Sequence, residues 1–72
     1  MKTKIKRFFR GNNKQYCIVQ NCGNVKFYWE GGFMWYVDRK DKAKLGTRRE
    51  MEIILNHELY QYRIRGARVE KI

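Results

Sequence analysis

The chain carries the stretch VKFYWEGGFMWYV at residues 25–37, and this stretch decides the fold. Two aromatic, β-branched runs flank Gly31-Gly32, which is a strong hairpin signal. A three-residue loop, Glu30-Gly31-Gly32, would pair Trp29 with Phe33 and collect the apolar side chains on one face of the hairpin. This core face would hold Val25, Phe27, Trp29, Phe33, Trp35 and Val37, and the opposite face Lys26, Tyr28, Met34, Tyr36 and Asp38.

The pattern extends to both sides of this hairpin. Residues 15–20 predict a preceding strand, with a turn at Cys22-Gly23 that puts Tyr16 and Ile18 on the core face. Residues 33–39 predict the third strand, and residues 68–72 alternate like a short final strand. We therefore expect an α+β fold with a small antiparallel sheet of three or more strands packed against one helix in the C-terminal half.

Thr47 begins that helix, because Glu50 follows three residues later as in a capping box. An apolar stripe at helical spacing supplies the buried face, and Arg65-Gly66-Ala67 ends the helix. The stripe consists of Met51, Ile54, Leu55, Leu59 and Tyr62. Gly11-Asn12-Asn13 is a loop signal, so we divide the chain into an arm over residues 1–13 and a single β-β-β-α(-β) domain over residues 14–72.

Charge is the main functional signal. Seventeen Lys and Arg stand against seven Asp and Glu, a formal net charge of +10 in 72 residues. Residues 1–14 contain six basic residues and no acidic one. Such an excess is typical of proteins that bind polyanions, of which nucleic acid is the commonest. We expect nucleic acid to be the partner, with DNA favoured over RNA.

The candidate contact residues form three groups. The arm would follow phosphates, the sheet face opposite the core would stack on bases, and the loop at residues 39–44 would add cations. From the arm these are Lys2, Lys4, Lys6, Arg7 and Arg10; from the sheet face Lys26, Tyr28 and Tyr36; from the loop Arg39, Lys40, Lys42 and Lys44. The alternative is structural, with the arm unbound and the rings of the sheet face covered.

Other classes of function have weaker signals. Cys17, Cys22 and the single histidine, His57, do not make up a zinc site, and the two cysteines are expected to be free thiols of an intracellular, cytoplasmic protein. There is no nucleophile–base pair, no paired carboxylate set and no glycine loop for phosphate, so we predict neither catalysis nor a cofactor. No apolar run approaches the length of a membrane span or signal peptide, and no membrane partner is expected.

Part of the chain resembles a known family. Leu45-Gly46-Thr47, Arg65-Gly66-Ala67 and Tyr16 resemble the three-stranded-sheet-plus-helix DNA-binding domains of plant Apetala-type transcription factors and of the arm-binding domains of integrases, over roughly residues 16–68. The resemblance implies a sheet that enters the major groove while the helix supports it. It also implies contacts from Lys26, Tyr28, Tyr36 and Arg39. The helix has bulky residues where that family prefers alanine, and the arginine-rich first strand is absent.

A second class of function is a small, phage-type inhibitor or adaptor that binds a larger host protein. Exposed Tyr, Trp, Met and Arg are good anchors for such an interface. A free sheet edge would also allow a homodimer. Binding of a partner that survives nuclease treatment distinguishes this class from nucleic-acid binding.

Overall fold

The computed structural model describes residues 14–72, and the predictions for the arm lie outside this range. Its elements are the strands β1 (Tyr16–Cys22), β2 (Val25–Gly31), β3 (Met34–Val37) and β4 (Arg68–Lys71), and the helices α1 (Arg48–Asn56) and α2 (Tyr60–Arg63). A short 3₁₀ turn, Lys40–Lys42, lies between β3 and α1. The four strands form one antiparallel sheet in the order β3-β2-β1-β4. The expected α+β class is confirmed.

The first hairpin turns one residue later than predicted. Cys22 pairs with Val25, so Gly23 and Asn24 form the turn, and Gly23 adopts a φ of 68°. Glycine takes this left-handed conformation without steric cost. The shift leaves Tyr16 and Ile18 on the predicted core face, because the pairing moves by an even number of residues.

The second hairpin contains a β-bulge, and the predicted pairing of Trp29 with Phe33 is wrong. Trp29 pairs with Trp35, and Gly31 pairs with Met34. The extra residue on β2 moves Phe33 out of the core face and into the turn, where its side chain is 85% exposed. The indole Nε1 of Trp29 donates to the carbonyl of Gly32 at 3.0 Å and fixes this turn. The predicted division of the other side chains between the two faces is confirmed.

The predicted single helix is two helices. The capping box of Thr47 and Glu50 is present, and Met51 and Leu55 are buried as predicted. The helix then breaks at His57, and the amide of Leu59 donates to the carbonyl of Ile54, five residues back. Asn56 and His57 have modest helix propensity, and the break lets α2 place Tyr62 against Trp35.

The C-terminal end of α2 matches the sequence prediction. Gly66 has a φ of 106°, and Ala67 N–H donates to the carbonyl of Tyr62 in a Schellman arrangement. The chain then returns as β4, the predicted final strand, which pairs with β1.

The sheet has two differently covered faces, which we call the helix face and the loop face. On the helix face, Ile18 and Trp29 of the sheet belong to the larger buried cluster. The other members of this cluster are Met51, Leu55, Leu59 and Ala67. On the loop face, Cys17, Val19 and Tyr28 form a smaller cluster with Ala43. Alternation along β1 produces both clusters from consecutive residues.

The chain passes from the loop face to the helix face over residues 43–46, which connect β3 to α1. Ala43 packs on the loop face, whereas α1 packs on the helix face. Between them, Lys44 N–H donates to the carbonyl of Trp29, and Gly46 exchanges two hydrogen bonds with Tyr16. A Cβ on Gly46 would lie 2.5 Å from the terminal methyl of Met51, so a larger residue would crowd this crossing.

Candidate nucleic-acid interface

The structure places seven of the twelve predicted contact residues; the five from the arm lie outside the described residues. Lys26, Tyr28 and Tyr36 are on the loop face, as predicted. Arg39, Lys40, Lys42 and Lys44 lie in the segment that follows β3. We call residues 39–44 the basic loop. Lys42 joins the loop face through its contact with Tyr36, whereas Lys44 lines a groove with Met51 and Ile54 of α1. The seven residues are therefore neither on one surface nor equally available.

Lys26 is engaged in an ion pair. Its Nζ donates to Oε1 of Glu70 at 2.7 Å, and Arg68 binds the other carboxylate oxygen at 3.2 Å. Lys26 is on β2 and Glu70 on β4, so the pair spans β1 above the buried Cys17 and Val19. The hydrogen bond from Lys26 lowers the pKa of Glu70 and raises that of Lys26 itself. In this structure the charge of Lys26 is therefore balanced by the Glu70 carboxylate of the same chain.

Tyr28 is covered, contrary to the expectation of an open aromatic face. Its side chain is 9% exposed and belongs to the loop-face cluster, with Lys26 Nζ 5.8 Å from the ring centroid. A base cannot stack on a ring that is buried in this way. Tyr28 therefore serves as core in the described conformation.

Tyr36 is the accessible ring of the predicted set. It is half-buried on the edge strand β3, and Lys42 Nζ lies 5.5 Å from its ring centroid. A cation beside an aromatic ring offers a phosphate contact and a stacking surface at one place. Met34, half exposed on the same strand, lies next to Tyr36 on this face.

The basic loop contains both paired and unpaired cations. Arg39 makes a bidentate contact with Asp41, with both nitrogen–oxygen distances at 3.0 Å, and this contact lowers the pKa of Asp41. Lys40 and Lys44 are exposed and have no carboxylate partner within residues 14–72. The backbone N–H of Lys44 donates to the carbonyl of Trp29, and this hydrogen bond fixes the position of the Lys44 backbone relative to β2.

Sequence reasoning missed a second basic and aromatic region on the helix face. Arg63 and Arg65 are exposed at the end of α2, next to a groove of about 290 Å³. The groove is lined by Gln20, Cys22, Phe27, Trp35 and Tyr62. The sequence did place Phe27, Trp35 and Tyr62 on core-facing positions. It gave no signal that the helices stop short of the sheet end that carries Phe27.

The side chains that commonly bind metal ions are not clustered in residues 14–72. No group of three or more His, Cys, Asp or Glu side chains is arranged to hold a metal ion there. Cys17 and Cys22 are free thiols, as expected, the first buried and the second exposed. Burial raises the pKa of the Cys17 thiol, which makes it less nucleophilic. Within the same residues, no helix has the length and apolarity of a membrane span.

Comparison with known proteins gave no match among family models, curated proteins or solved structures.

Proposed function

We propose that this protein is a small, non-enzymatic nucleic-acid-binding module. The observation that carries the proposal is the basic loop, in which Lys40, Lys42 and Lys44 have no ion-pair partner among the described residues while Lys42 lies over the ring of Tyr36. In an interface of this kind the lysines contact the phosphate backbone, and one aromatic ring is available for stacking on a base.

Binding on the loop face uses a narrower set of residues than the sequence indicates. Tyr28 is covered, and Lys26 and Arg39 are paired with Glu70 and Asp41. The proposed contacts are therefore Tyr36 and the three lysines of the basic loop, with the arm supplying additional charge. This set differs from the one that the resemblance to Apetala-type domains implies, in which the strands themselves enter the major groove.

Fluorescence anisotropy of labelled duplex DNA, single-stranded DNA and RNA, measured across a salt series, tests the proposal. We expect micromolar or tighter binding near 150 mM salt, with a logarithmic slope set by the number of phosphates contacted. If binding to all three polymers is already lost below this salt concentration, it reflects only non-specific electrostatic attraction, and the proposal is rejected.

The arm is tested separately by the double change Arg7→Glu and Arg10→Glu. We expect weaker binding and a shallower salt dependence, because each lost phosphate contact removes about 0.9 from the slope on duplex DNA. Unchanged affinity for every polymer would exclude the arm from the interface.

A second candidate function is binding to a larger protein, favoured by the outer edge of β3, which pairs with no other strand within residues 14–72. This edge strand carries the half-exposed Met34 and Val37 and is preceded by the exposed Phe33. An unpaired edge with apolar side chains is suited to adding a strand from a partner. A partner retained after nuclease treatment, and lost with Met34→Lys, would support this function over the first.

A further inference from the structure

The groove on the helix face is built from three aromatic rings at the end of the sheet that α1 and α2 leave open. Phe27 lies beside Gln20 across β1 and β2, and Trp35 is on β3. Tyr62 of α2 faces Trp35 with ring centroids 5.1 Å apart and an interplanar angle of 49°. The two rings are tilted, so they form an open wedge instead of a closed stack.

The two side-chain N–H donors at the groove, Trp35 Nε1 and Gln20 Nε2, are not available to a ligand. Trp35 Nε1–H is buried and has no acceptor within residues 14–72. The amide of Gln20 donates to the carbonyl of Arg65 at 3.1 Å, which fixes its position at the groove. Because the Trp35 nitrogen is enclosed by the protein, a ligand in the groove does not contact it, and binding there rests on the aromatic rings.

The charge around the groove favours an anionic polymer. None of the five lining residues is charged. Arg63 follows Tyr62 directly, and the backbone of Arg65 contacts Gln20. Both arginine side chains are exposed, and neither has a carboxylate partner in the described part of the chain. An apolar slot beside two arginines suits a flat uncharged group attached to phosphates.

We propose that this groove binds an unpaired base of single-stranded nucleic acid. The base stacks against Phe27 and the Trp35–Tyr62 wedge, and Arg63 and Arg65 contact the adjacent phosphates. A volume of about 290 Å³ is at the lower limit of ligand pockets and suits one base. A base within a duplex is paired and stacked and cannot enter. This inference rests on the proposed function and goes beyond it, because it adds a second contact region on the face opposite the basic loop and names single strands as the preferred class.

Cys22 provides a probe that needs no substitution. Its thiol is exposed in the groove, whereas Cys17 is buried with a raised pKa and serves as an internal control. The protein is treated with iodoacetamide alone or with saturating oligothymidine, an abasic strand of the same length, or a duplex. We expect oligothymidine to slow Cys22 alkylation several-fold, and the abasic strand and the duplex to leave it unchanged.

Matched variants test the stacking itself. Phe27→Leu keeps an apolar side chain but removes the ring, and we expect it to weaken oligothymidine binding roughly ten-fold while abasic-strand binding is unchanged. Phe33→Ala, which removes an exposed ring outside the groove, is the control and is expected to bind like the original protein.

The outcomes separate this inference from the proposed function. If the abasic strand binds as tightly as oligothymidine and neither protects Cys22, the base site is excluded while polyanion binding remains. Equal protection by the duplex also excludes it. If no polymer binds near 150 mM salt, both proposals fail together.

Discussion

The two faces of the sheet use the same strands but are covered by different means. On the helix face, Ile18 and Trp29 are buried by apolar side chains of α1 and α2. On the loop face, Cys17 and Val19 are equally buried, yet they lie beneath the Lys26–Glu70 pair and the basic loop. Long charged side chains cover apolar surface with their stems while their charged ends remain in water. Both faces therefore stabilise the fold, but the helix face is covered by apolar side chains and the loop face partly by charged ones.

The largest expected difference between the faces is in stability. Ile18→Ala, on the helix face, should lower the free energy of unfolding by about 2–5 kcal/mol, because it opens a cavity in the larger cluster. Val19→Ala, on the loop face, should cost about 1.6 kcal/mol, from roughly 0.8 kcal/mol for each methylene group lost. Urea unfolding of both variants measures the difference. A larger cost for Val19→Ala would show that the loop face is the main core.

A smaller loss of stability is expected from a change at Thr47, the N-cap of α1, which covers the helix face. Thr47→Ala removes the hydroxyl that accepts from the amide of Glu50, and we expect a loss of about 1 kcal/mol. Thr47→Ser retains the acceptor and should recover most of this loss. If Thr47→Ser is as unstable as Thr47→Ala, the methyl group and not the cap is responsible. Thermal or urea unfolding at neutral pH distinguishes the two.

The smallest expected effect concerns the loop face, where the contribution of the Lys26–Glu70 pair to the free energy of unfolding should depend on pH. Lys26 lowers the pKa of Glu70 in the folded protein, so the pair stabilises the fold above the ordinary glutamate pKa near 4.3. This stabilisation is lost as the pH falls through the lower pKa of the folded state. Glu70→Gln should cost about 0.2–1 kcal/mol at pH 7 and almost nothing in acid, by urea unfolding at several pH values. An equal cost at both pH values would contradict the electrostatic role of the pair.

Local patterns were sufficient to predict most of the fold. The alternation in residues 25–37, the capping box at Thr47 and the Gly66 stop each depend on neighbouring residues, and each is present in the structure. The position of Phe33 was not predictable in this way. The bulge moves the pairing by two residues and takes Phe33 into the turn, but it leaves the other side chains of the hairpin on their predicted faces. The hydrophobic pattern of the sequence is therefore compatible with both pairings.

The candidate site was less predictable because exposure depends on contacts between distant residues. Nothing near Tyr28 in the sequence indicates that Ala43 packs against the cluster to which Tyr28 belongs, or that Lys26 reaches Glu70 across β1. The groove at Phe27 has the same origin, because it exists only where the broken helix leaves the end of the sheet uncovered. Spacing within one element contains no information on where another element ends.

The measurement that tests the central claim most directly is the salt dependence of nucleic-acid affinity for two matched charge reversals. Lys40→Glu with Lys44→Glu changes the basic loop, and Arg48→Glu with Arg49→Glu makes the same change in net charge at exposed positions of α1. We predict that the first pair weakens binding at least roughly ten-fold more than the second and lowers the salt slope by about 1.8 on duplex DNA or about 1.4 on a single strand. Equal losses of affinity and equal slopes for the two pairs would contradict a binding site at the basic loop.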